Sequence, residues 1–525
     1  MKHAAFSALV VVALLATAGF SRVEAAPAGA SCESLAALNL PDTTVASATS
    51  VPANSFTPPG ASASAQPLSL PAFCRVVATT KPAIRFEVWL PLENWNGKLQ
   101  GVGNGGMAGV ISYGAMAAAL KRGYATASTD TGHVSKGVFD SSWALGHPDL
   151  VADFGYRSLH LTTVNAKEIA RAFYAREPGH SYFVGCSKGG QQGLMEAQRF
   201  PEDYDGIIAG DPGNNWVRHY AGAHLWDSLA TLKDPESYIP AAKVPILAGA
   251  VNAACDALDG VKDGVLNDPR QCKFDPVVLT CKAGQDSASC FTPKQVQAVE
   301  DIWAGPHDSS GRSIYPGLLP GGEAGPGGWA AWTTGAAPFT GLHWTSADGF
   351  FKYMVFDNPN WDFRSFNYDT DVDAALKKVG PSLDSIDPNL RPLKRRGGKL
   401  IVYHGFSDPD ISPLNSINYY ESVVSLFGGT KHRARALNDT QDFFRLFMVP
   451  GMQHCTGGPG PSSFDMLGAL EQWVEHGVAP QMVLASHLTN GVTDRTRPLC
   501  PYPQLAAYNG TGNTDEAANF TCKAP

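Results

Sequence analysis

The chain has 525 residues, of which 44% are hydrophobic and 17% charged, and its formal net charge is −8. This composition is typical of a folded globular protein and excludes a disordered chain. The acidic balance argues against nucleic acid or an anionic membrane surface as the main partner. The length exceeds that of one small domain, so we expect a large domain with an insertion, or two domains.

The N-terminus has the pattern of a secretory signal peptide. An apolar run over 8–19 follows the polar Lys2 and His3, and the small Val23 and Ala25 precede a cleavage position after Ala25. We therefore predict a signal peptide over 1–25 and a secreted or periplasmic protein. The run is too short to span a bilayer, and no later segment offers about 18 uncharged apolar residues, so we expect no membrane contact after its removal.

Strand and helix patterns alternate along two parts of the chain. Residues 26–75 are rich in Ala, Ser and Pro, and we expect them to wrap the surface. Alternating and apolar runs predict strands over 84–90, 124–128, 181–185, 206–210, 398–403 and 443–449. Helical periodicity predicts helices over 115–122, 156–176, 191–199 and 466–476. This order predicts an α/β fold with a parallel sheet and helices on both faces.

The alternation fades between these two parts. Residues 214–392 carry four cysteines, many Gly and Pro residues and dense aromatics. We interpret this block as a lid inserted into a catalytic domain made of 26–213 and 393–525. Lids of this kind are common places for substrate selection.

A candidate nucleophile lies between a predicted strand and a helix. Residues 185–189, Gly-Cys-Ser-Lys-Gly, fit the G-x-S-x-G nucleophile elbow, with Ser187 at its centre. The pattern alone is weak in a Gly-rich chain, and an ordinary strand-to-helix turn is the alternative. Its position after the strand over 181–185 favours the elbow, whose sharp turn needs glycines.

A nucleophilic serine needs a base and an orienting carboxylate. Asp408 follows the strand over 398–403, and His454 follows the strand over 443–449. The order Ser, Asp, His is that of an α/β-hydrolase. Alternatives remain for both partners: Asp410 for the acid, and His404 and His133 for the base.

Ten cysteines in an exported chain favour disulfides over free thiols. Proximity along the chain suggests the pairs Cys255–Cys272, Cys281–Cys290 and Cys500–Cys522, which leaves Cys32, Cys74, Cys186 and Cys455. Cys186 precedes Ser187 and Cys455 follows His454, so contact within the triad would bring these two within bridging distance. Two unrelated buried thiols are the alternative.

Several motifs together resemble the tannase and feruloyl esterase family. They are Cys-Ser at 186–187, Asp408, His-Cys at 454–455, and the stretches 103–106, 129–133 and 495–503. The resemblance covers nearly the whole mature chain, and MHETase-type esterases of polyester monomers are similar as well. It implies an α/β-hydrolase core with a lid between the nucleophile and acid strands, and five disulfides including Cys32–Cys74.

The acyl-enzyme of such a reaction needs an oxyanion hole. The backbone N–H that follows the nucleophile belongs to Lys188, and the loop over 103–106 is placed to supply a second donor. The resemblance implies Gly106 for that role. Glycines that serve only a backbone turn are the alternative.

The lid carries an acidic segment that suggests a calcium site. Three carboxylates lie within residues 256–263, and calcium takes carboxylate and carbonyl oxygens from a turning chain. The segment is not an EF-hand, because the glutamate at position 12 is missing. The resemblance implies a structural Ca²⁺ held by Asp256, Asp259, Val261, Asp263 and Val265. A solvated acidic turn is the alternative, and no organic cofactor is expected.

The resulting hypothesis is a secreted serine carboxylesterase that hydrolyses small esters of phenolic acids. Feruloyl esterase is the first reading, tannase the second and an MHETase-like aromatic monoester hydrolase the third. Most lid aromatics between 329 and 368 should form lid core, with a few left to contact the acyl group. A catalytically silent binding protein would lack a triad member, and a serine peptidase would share the triad order.

Overall fold

The computed structural model describes Met1 and residues 29–62, 64–428 and 432–524. Apart from Met1, the signal peptide predicted over 1–25 lies outside the described residues and stays a prediction.

A central sheet carries the fold. Among the described residues it has nine strands: β1 (Thr43–Val51), β2 (Phe73–Thr80), β3 (Ile84–Pro91), β4 (Lys98–Val102), β5 (Ala125–Thr129), β6 (His180–Cys186), β7 (Gly206–Gly210), β8 (Lys399–Gly405) and β9 (Phe444–Val449). Their spatial order is β1-β2-β3-β5-β4-β6-β7-β8-β9. The first three strands pair antiparallel, and the strands from β4 to β9 are parallel. This is the α/β-hydrolase architecture that the sequence predicts.

Helices cover both faces of this sheet. The α-helices of the described residues, including those of the segment between β7 and β8, are in chain order α1 (Tyr113–Lys121), α2 (Pro148–Ala152), α3 (Ser158–Tyr174), α4 (Lys188–Arg199), α5 (Trp216–His219), α6 (Asp227–Leu232), α7 (Val244–Cys255), α8 (Pro293–Ala304), α9 (Leu342–Gly349), α10 (Asp371–Lys378), α11 (Gly380–Leu383), α12 (Arg391–Arg395), α13 (Pro413–Gly428), α14 (Arg433–Gln441) and α15 (Met466–His476). Ile401 of β8 packs in one apolar layer with α1 and α15. Its neighbours Leu400 and Val402 pack in the opposite layer with α4 and α13.

The predicted core elements are present with small shifts at their ends. The helix predicted over 191–199 begins earlier, at Lys188, because the chain enters α4 directly from Ser187. The expectation that residues 26–75 wrap the surface is wrong for β1, which forms the edge of the central sheet and pairs with β2. Its Thr, Ala and Ser side chains are mostly exposed, so the strand lacks the strong apolar alternation that reveals a buried strand.

The segment over 214–392 lies between β7 and β8 and packs in two further apolar clusters, the first of which also includes residues of 107–154. One of them joins α5, a π-helical turn at Tyr220–Trp226, and a second π-helical turn at Phe350–Val355. Another packs α7 against α8. The lid is therefore a folded body and not a loose loop.

In the described part of the chain, five further strands follow β9. They are β10 (Ser463–Phe464), β11 (Val483–Thr489), β12 (Val492–Leu499), β13 (Leu505–Tyr508) and β14 (Phe520–Lys523). By length and composition alone, one helical stretch of the described chain, Pro235–Asp259, is apolar enough to cross a membrane. Its regular helix, α7, has only 12 residues, and its buried face packs within the lid, so this stretch is weak evidence for a span.

Candidate active site

Ser187 lies at the sharp turn that joins β6 to α4. Its backbone has φ 62° and ψ −118°, a conformation that non-glycine residues rarely adopt. The turn requires glycine before Ser187, because a Cβ on Gly185 would lie 2.5 Å from the Gly189 carbonyl oxygen, and it favours a small residue at Gly189, where a Cβ would lie 3.1 Å from Gly103 Cα. A half-buried serine with strained backbone at the end of a parallel strand is the geometry of a nucleophile elbow.

His454 and Asp408 form a buried pair beside this elbow. His454 Nδ1 lies 2.9 Å from Asp408 Oδ2, and Asp408 Oδ1 accepts the backbone N–H groups of Asp410 and Ile411. These bonds fix the carboxylate against the ring. Within the described residues the Ser187 hydroxyl makes no hydrogen bond to His454, a contact that often tightens only when substrate is bound.

The alternative bases are engaged elsewhere. His404 is fully buried, and its two ring nitrogens contact Ser416 Oγ at 2.7 Å and the Ile411 carbonyl at 3.0 Å. His133 Nε2 contacts the Met107 carbonyl at 2.9 Å, and the His133 ring stacks on Trp143. The geometry therefore favours His454 as the base.

Asp410, the alternative acid, lies on the other side of His454. Its Oδ2 is 3.3 Å from His454 Nε2, and its Oδ1 is 2.6 Å from Nε2 of the lid residue His224. An orienting acid must hold Nδ1 so that Nε2 is left to face the serine. The arrangement therefore favours Asp408 as the orienting acid, whereas Asp410 contacts the opposite ring nitrogen and a lid histidine.

Buried charges shape this site. Burial disfavours the imidazolium of His454, yet the charges of Asp408, Asp410 and Asp211 outweigh it and raise its pKa above the ordinary value. Burial likewise opposes ionisation of Asp408, but the positive charge of His454 and a hydrogen bond from His404 lower its pKa to about 2. The same charges would stabilise the imidazolium that forms when His454 takes a proton from Ser187.

Two backbone N–H groups point to an oxyanion hole. Within the described residues, neither the Gly106 N–H nor the Lys188 N–H donates a hydrogen bond. The loop of Gly106 is tied to α4 by a reciprocal pair, in which Asn104 donates its N–H to Gln192 and Gln192 donates its amide to Asn104, each at 3.0 Å. Gly106 has φ 53°, and a Cβ there would lie 2.3 Å from the Val138 carbonyl oxygen, so only glycine fits.

The structure contains the five disulfides that the resemblance implies. They are Cys32–Cys74, Cys186–Cys455, Cys255–Cys272, Cys281–Cys290 and Cys500–Cys522. Cys186–Cys455 joins the elbow to the histidine loop, with a Cα–Cα distance of 5.9 Å.

Asp211 is a site residue that the sequence reasoning missed. It follows β7, and its carboxylate accepts the N–H groups of Gly405 and Cys455 at 2.7 and 3.1 Å. Burial raises its pKa to about 7. Asp211 therefore connects the end of β7 to the end of β8, through Gly405, and to the loop of His454, through Cys455. Its position directly after a predicted strand was the signal that could have revealed it.

A group of lid histidines was also missed. His219, His224 and His343 surround Asp410, and all three are buried. Burial lowers the pKa of His224 to about 4 and that of His343 well below its ordinary value. These residues lie far apart in the sequence, and only the folded lid brings them together.

The acidic segment of the lid forms a compact loop. Its carboxylates accept backbone N–H groups within the loop, as Asp259 does from Val261 at 2.9 Å. A cavity of about 20 Å³ is lined by side chains that include Asp259, Val261, Asp263 and Val265. Asp256 is buried beside it. Burial, joined by the charges of Asp263 and Asp256, raises the pKa of Asp259 to about 6.

This loop fits a cation in its donor chemistry. A cavity of that size holds about one small ion or water. Within the described residues no hydrogen bond ends on the carbonyl oxygens of Val261 and Val265, so both are available as ligands. One oxygen of Asp263 is instead occupied by Arg497, at 2.5 Å.

The lid also places an aromatic ring on the catalytic histidine. The Trp332 and His454 rings meet edge to face, with centroids 5.1 Å apart. As expected, other lid aromatics such as Phe350, Phe351 and Phe363 are buried in the lid core. Trp332 is half-buried, so part of its surface remains available beside the triad.

Comparisons with known proteins agree with this geometry. The sequence model of the tannase and feruloyl esterase family matches residues 69–523. An uncharacterised esterase of Xanthomonas campestris pv. campestris is 44% identical over 95% of this chain and 92% of its own. The mono(2-hydroxyethyl) terephthalate hydrolase of Piscinibacter sakaiensis is 35% identical over 84% and 82%. The crystal structure of feruloyl esterase B from Aspergillus oryzae superposes with a TM-score of 0.84 at 30% identity, covering 94% of this chain and 99% of that one.

Proposed function

The chain belongs to the tannase and feruloyl esterase family and is a carboxylic ester hydrolase, and from this premise we propose that it hydrolyses esters of aromatic acids, feruloyl esters foremost. Ser187 attacks the ester carbonyl while His454 takes its proton. Asp408 holds the imidazole, and the N–H groups of Lys188 and Gly106 bind the oxyanion. His454 then protonates the leaving alcohol, and water releases the acid from Ser187.

Two contacts of His454 carry this proposal. Its Nδ1 lies 2.9 Å from Asp408 Oδ2, and its ring meets the Trp332 ring edge to face. The first contact supports His454 as the base, and the second supports an aromatic surface for the acyl group beside it. Aromatic rings favour offset or edge-to-face contact with other rings, so this surface suits a phenolic acyl group.

Tannase and MHETase-like activities are the alternatives. The second is supported by the similarity to the Piscinibacter sakaiensis hydrolase, whose name states that substrate. A terephthalate monoester carries a free carboxylate that needs a cation. Arg364, the one arginine between Arg312 and Arg391 in the sequence, lies over the Phe363 ring and 3.3 Å from Asp362, so local contacts already engage it. Feruloyl esters therefore remain the first of the proposed substrates.

A substrate panel tests the proposal. Methyl ferulate, methyl gallate and mono(2-hydroxyethyl) terephthalate would be offered to the purified protein and to Ser187→Ala. We expect methyl ferulate to give the highest kcat/KM, and the variant to lose on the order of 10⁶-fold in kcat. Turnover of a peptide but no ester would indicate a peptidase, and no turnover by folded protein would indicate a silent binding protein.

We also propose a structural calcium ion in the acidic loop. Asp256, Asp259, Val261, Asp263 and Val265 would hold it, and their oxygen donors suit this hard cation. The ion would neutralise the crowded carboxylates that raise the pKa of Asp259. Chelation should lower the melting temperature and leave the activity per folded molecule largely unchanged. Metal analysis that finds no calcium in carefully prepared protein would remove this proposal.

Export is the last part of the proposal. It is supported by the five disulfides, which persist in oxidising compartments. N-terminal sequencing of the protein from the medium or periplasm should begin at Ala26. A chain that retains Met1 in the cytoplasm would contradict this.

A further inference from the structure

We infer that His219, His224, His343 and Asp410 form a binding site for a divalent metal ion of the zinc class, between the lid and the catalytic histidine. This site is separate from the acidic calcium loop and has a different donor chemistry. Imidazole nitrogens with one carboxylate suit zinc and its neighbours, whereas calcium takes oxygen donors.

The donor atoms of His219, His224 and Asp410 lie within 4.8 Å of one another, and His343 approaches the same carboxylate from α9. Nε2 of His224, His219 and His343 lie 2.6, 3.6 and 3.8 Å from Asp410 Oδ1. Donors of a tetrahedral zinc ion stand roughly 3.3 Å apart, given metal–ligand distances of about 2.0–2.1 Å. A cation would therefore require the His224 contact to lengthen, His219 Nε2 to turn from the Asp410 backbone carbonyl, which lies 3.2 Å away, and the His343 ring to move toward the other donors.

The backbone explains why two of these histidines face the same way. His219 ends α5, and His224 lies in the π-helical turn at Tyr220–Trp226 that follows. A π-helix bonds residue i to residue i+5, so positions 219 and 224 share one face. Such turns are frequent at functional sites. His343, on α9, approaches from another part of the lid.

The outer ring nitrogens have the partners that metal ligands use. His224 Nδ1 is 2.6 Å from Ser346 Oγ, and His343 Nδ1 is 3.2 Å from Asp227 Oδ2. Metal-bound histidines almost always pair the second nitrogen with a carboxylate, carbonyl or hydroxyl, which orients the ring. His224 thus has this support, whereas the carboxylate near His343 Nδ1 lies outside hydrogen-bond geometry.

Unpaired polar atoms at the centre provide an independent observation. Neither nitrogen of His343 meets hydrogen-bond geometry within the described residues, and its side chain is 0% exposed. His219 Nδ1 is buried and unpaired as well. Buried polar atoms without partners are costly, so such a group calls for an ion or a water as its partner. A bound cation would satisfy His343 Nε2 directly.

The test is metal binding by the purified full chain, with excess calcium present throughout so that the acidic loop stays filled. After removal of transition metals, Zn²⁺ is titrated calorimetrically, and bound zinc is counted after desalting. Co²⁺ replaces Zn²⁺ for visible spectroscopy, which reports tetrahedral nitrogen and oxygen ligation. We expect one ion per chain and no uptake of Mg²⁺.

Variants assign that ion to its site. His224→Ala and His343→Ala should abolish the binding, and Ser346→Ala should weaken it by about 10- to 100-fold, because it removes only an outer partner. The control is His160→Ala, since His160 forms a rival cluster with Glu196 and Asp203. Ser346→Ala keeps the test informative if the buried histidine variants fail to fold.

Three outcomes would overturn the inference. They are absence of zinc uptake by the folded chain, zinc retained at full affinity by folded His224→Ala, and loss of zinc in His160→Ala in place of the lid variants. None of these readouts depends on ester hydrolysis, so they are independent of the proposed function.

Discussion

His454 lies between two unlike regions of the molecule. On its Nδ1 side is the hydrolase core, where Asp408 is fixed by backbone N–H groups at the end of β8. On its Nε2 side is Asp410, which the lid surrounds with buried histidines. The core side is built from strand ends in one sheet, and the lid side from distant segments. The comparison suggests that the core supplies the chemistry and the lid sets its surroundings.

The two carboxylates give the largest contrast. Asp408→Asn should lower kcat by about 10⁴-fold, because an amide no longer holds the imidazole in the right tautomer. Asp410→Asn should cost far less, because Asp410 does not contact Nδ1. The measurement is kcat with methyl ferulate, for both variants side by side.

Circular dichroism and melting curves serve as controls, since both substitutions keep the side-chain shape. If Asp410→Asn alone matched the loss in Asp408→Asn, the assignment of the orienting acid would be wrong.

The disulfide at the core is expected to have the next largest effect. Replacing Cys186 and Cys455 by Ala opens a loop with a sequence separation of 269 residues. The chain-entropy model gives such a bond on the order of 5–6 kcal/mol of unfolding free energy. A small drift of His454 from Ser187 should also cost about 10²-fold in rate.

Cys281 and Cys290 provide the matched control, because their bond lies in the lid, away from the triad, with a separation of 9. Their double change to Ala should leave the rate of folded enzyme nearly unchanged. Equal rate losses in the two double variants would argue against a triad-aligning role for Cys186–Cys455.

The same division explains what the sequence revealed. The strand over 206–210 and the helix over 466–476 were predicted with the observed bounds, because each has a strong local pattern. Ser187, Asp408 and His454 each follow a predicted strand, so topology alone brings them to one sheet edge. The core side of the site was therefore readable from local periodicity.

The lid side of the site could not be predicted from the sequence, for a physical reason. His219 ends α5, His224 lies in a π-helical turn and His343 lies on α9, and the relative positions of these elements depend on tertiary packing. The edge strand β1 was missed on similar grounds, since its small exposed side chains carry little pattern. Contacts between distant segments leave no periodic signal in a single sequence.

The seam between lid and core should respond to pH through Glu323. Its side chain is buried, and both carboxylate oxygens accept the Gly321 N–H. Burial raises its pKa to about 7 from the ordinary 4.5. The adjacent Ala324 carbonyl accepts a hydrogen bond from Gln453, next to His454, so this segment connects the lid to the histidine loop.

A raised carboxyl pKa means that the folded state holds the proton more tightly than the unfolded chain. Glu323 therefore contributes stability below about pH 4.5 that is lost as the pH rises through 7, in total about 3 kcal/mol. Glu323→Gln should raise the unfolding free energy at pH 8 by on the order of 1–3 kcal/mol and match the wild type near pH 5. Urea unfolding at both pH values measures this, and an equal shift at both would exclude titration as its cause.

The smallest expected effect lies on the lid side of the active site. Trp332→Ala should lower kcat/KM for methyl ferulate by about 3- to 10-fold, the usual worth of an aromatic pair. Hydrolysis of an aliphatic ester such as ethyl butyrate should change less, because it has no ring to pack on Trp332. The ratio of the two substrates separates lost recognition from general damage to His454, whose ring Trp332 contacts.

Trp361→Ala is the matched control, since Trp361 packs within the lid core against Phe351 and Phe356. It should lower stability and leave the substrate ratio unchanged. Trp332→Phe should restore most of the preference for ferulate, because a ring remains at that position. If Trp332→Ala lowered both rates equally, Trp332 would act by positioning His454, and the aromatic preference would have to arise from another part of the lid.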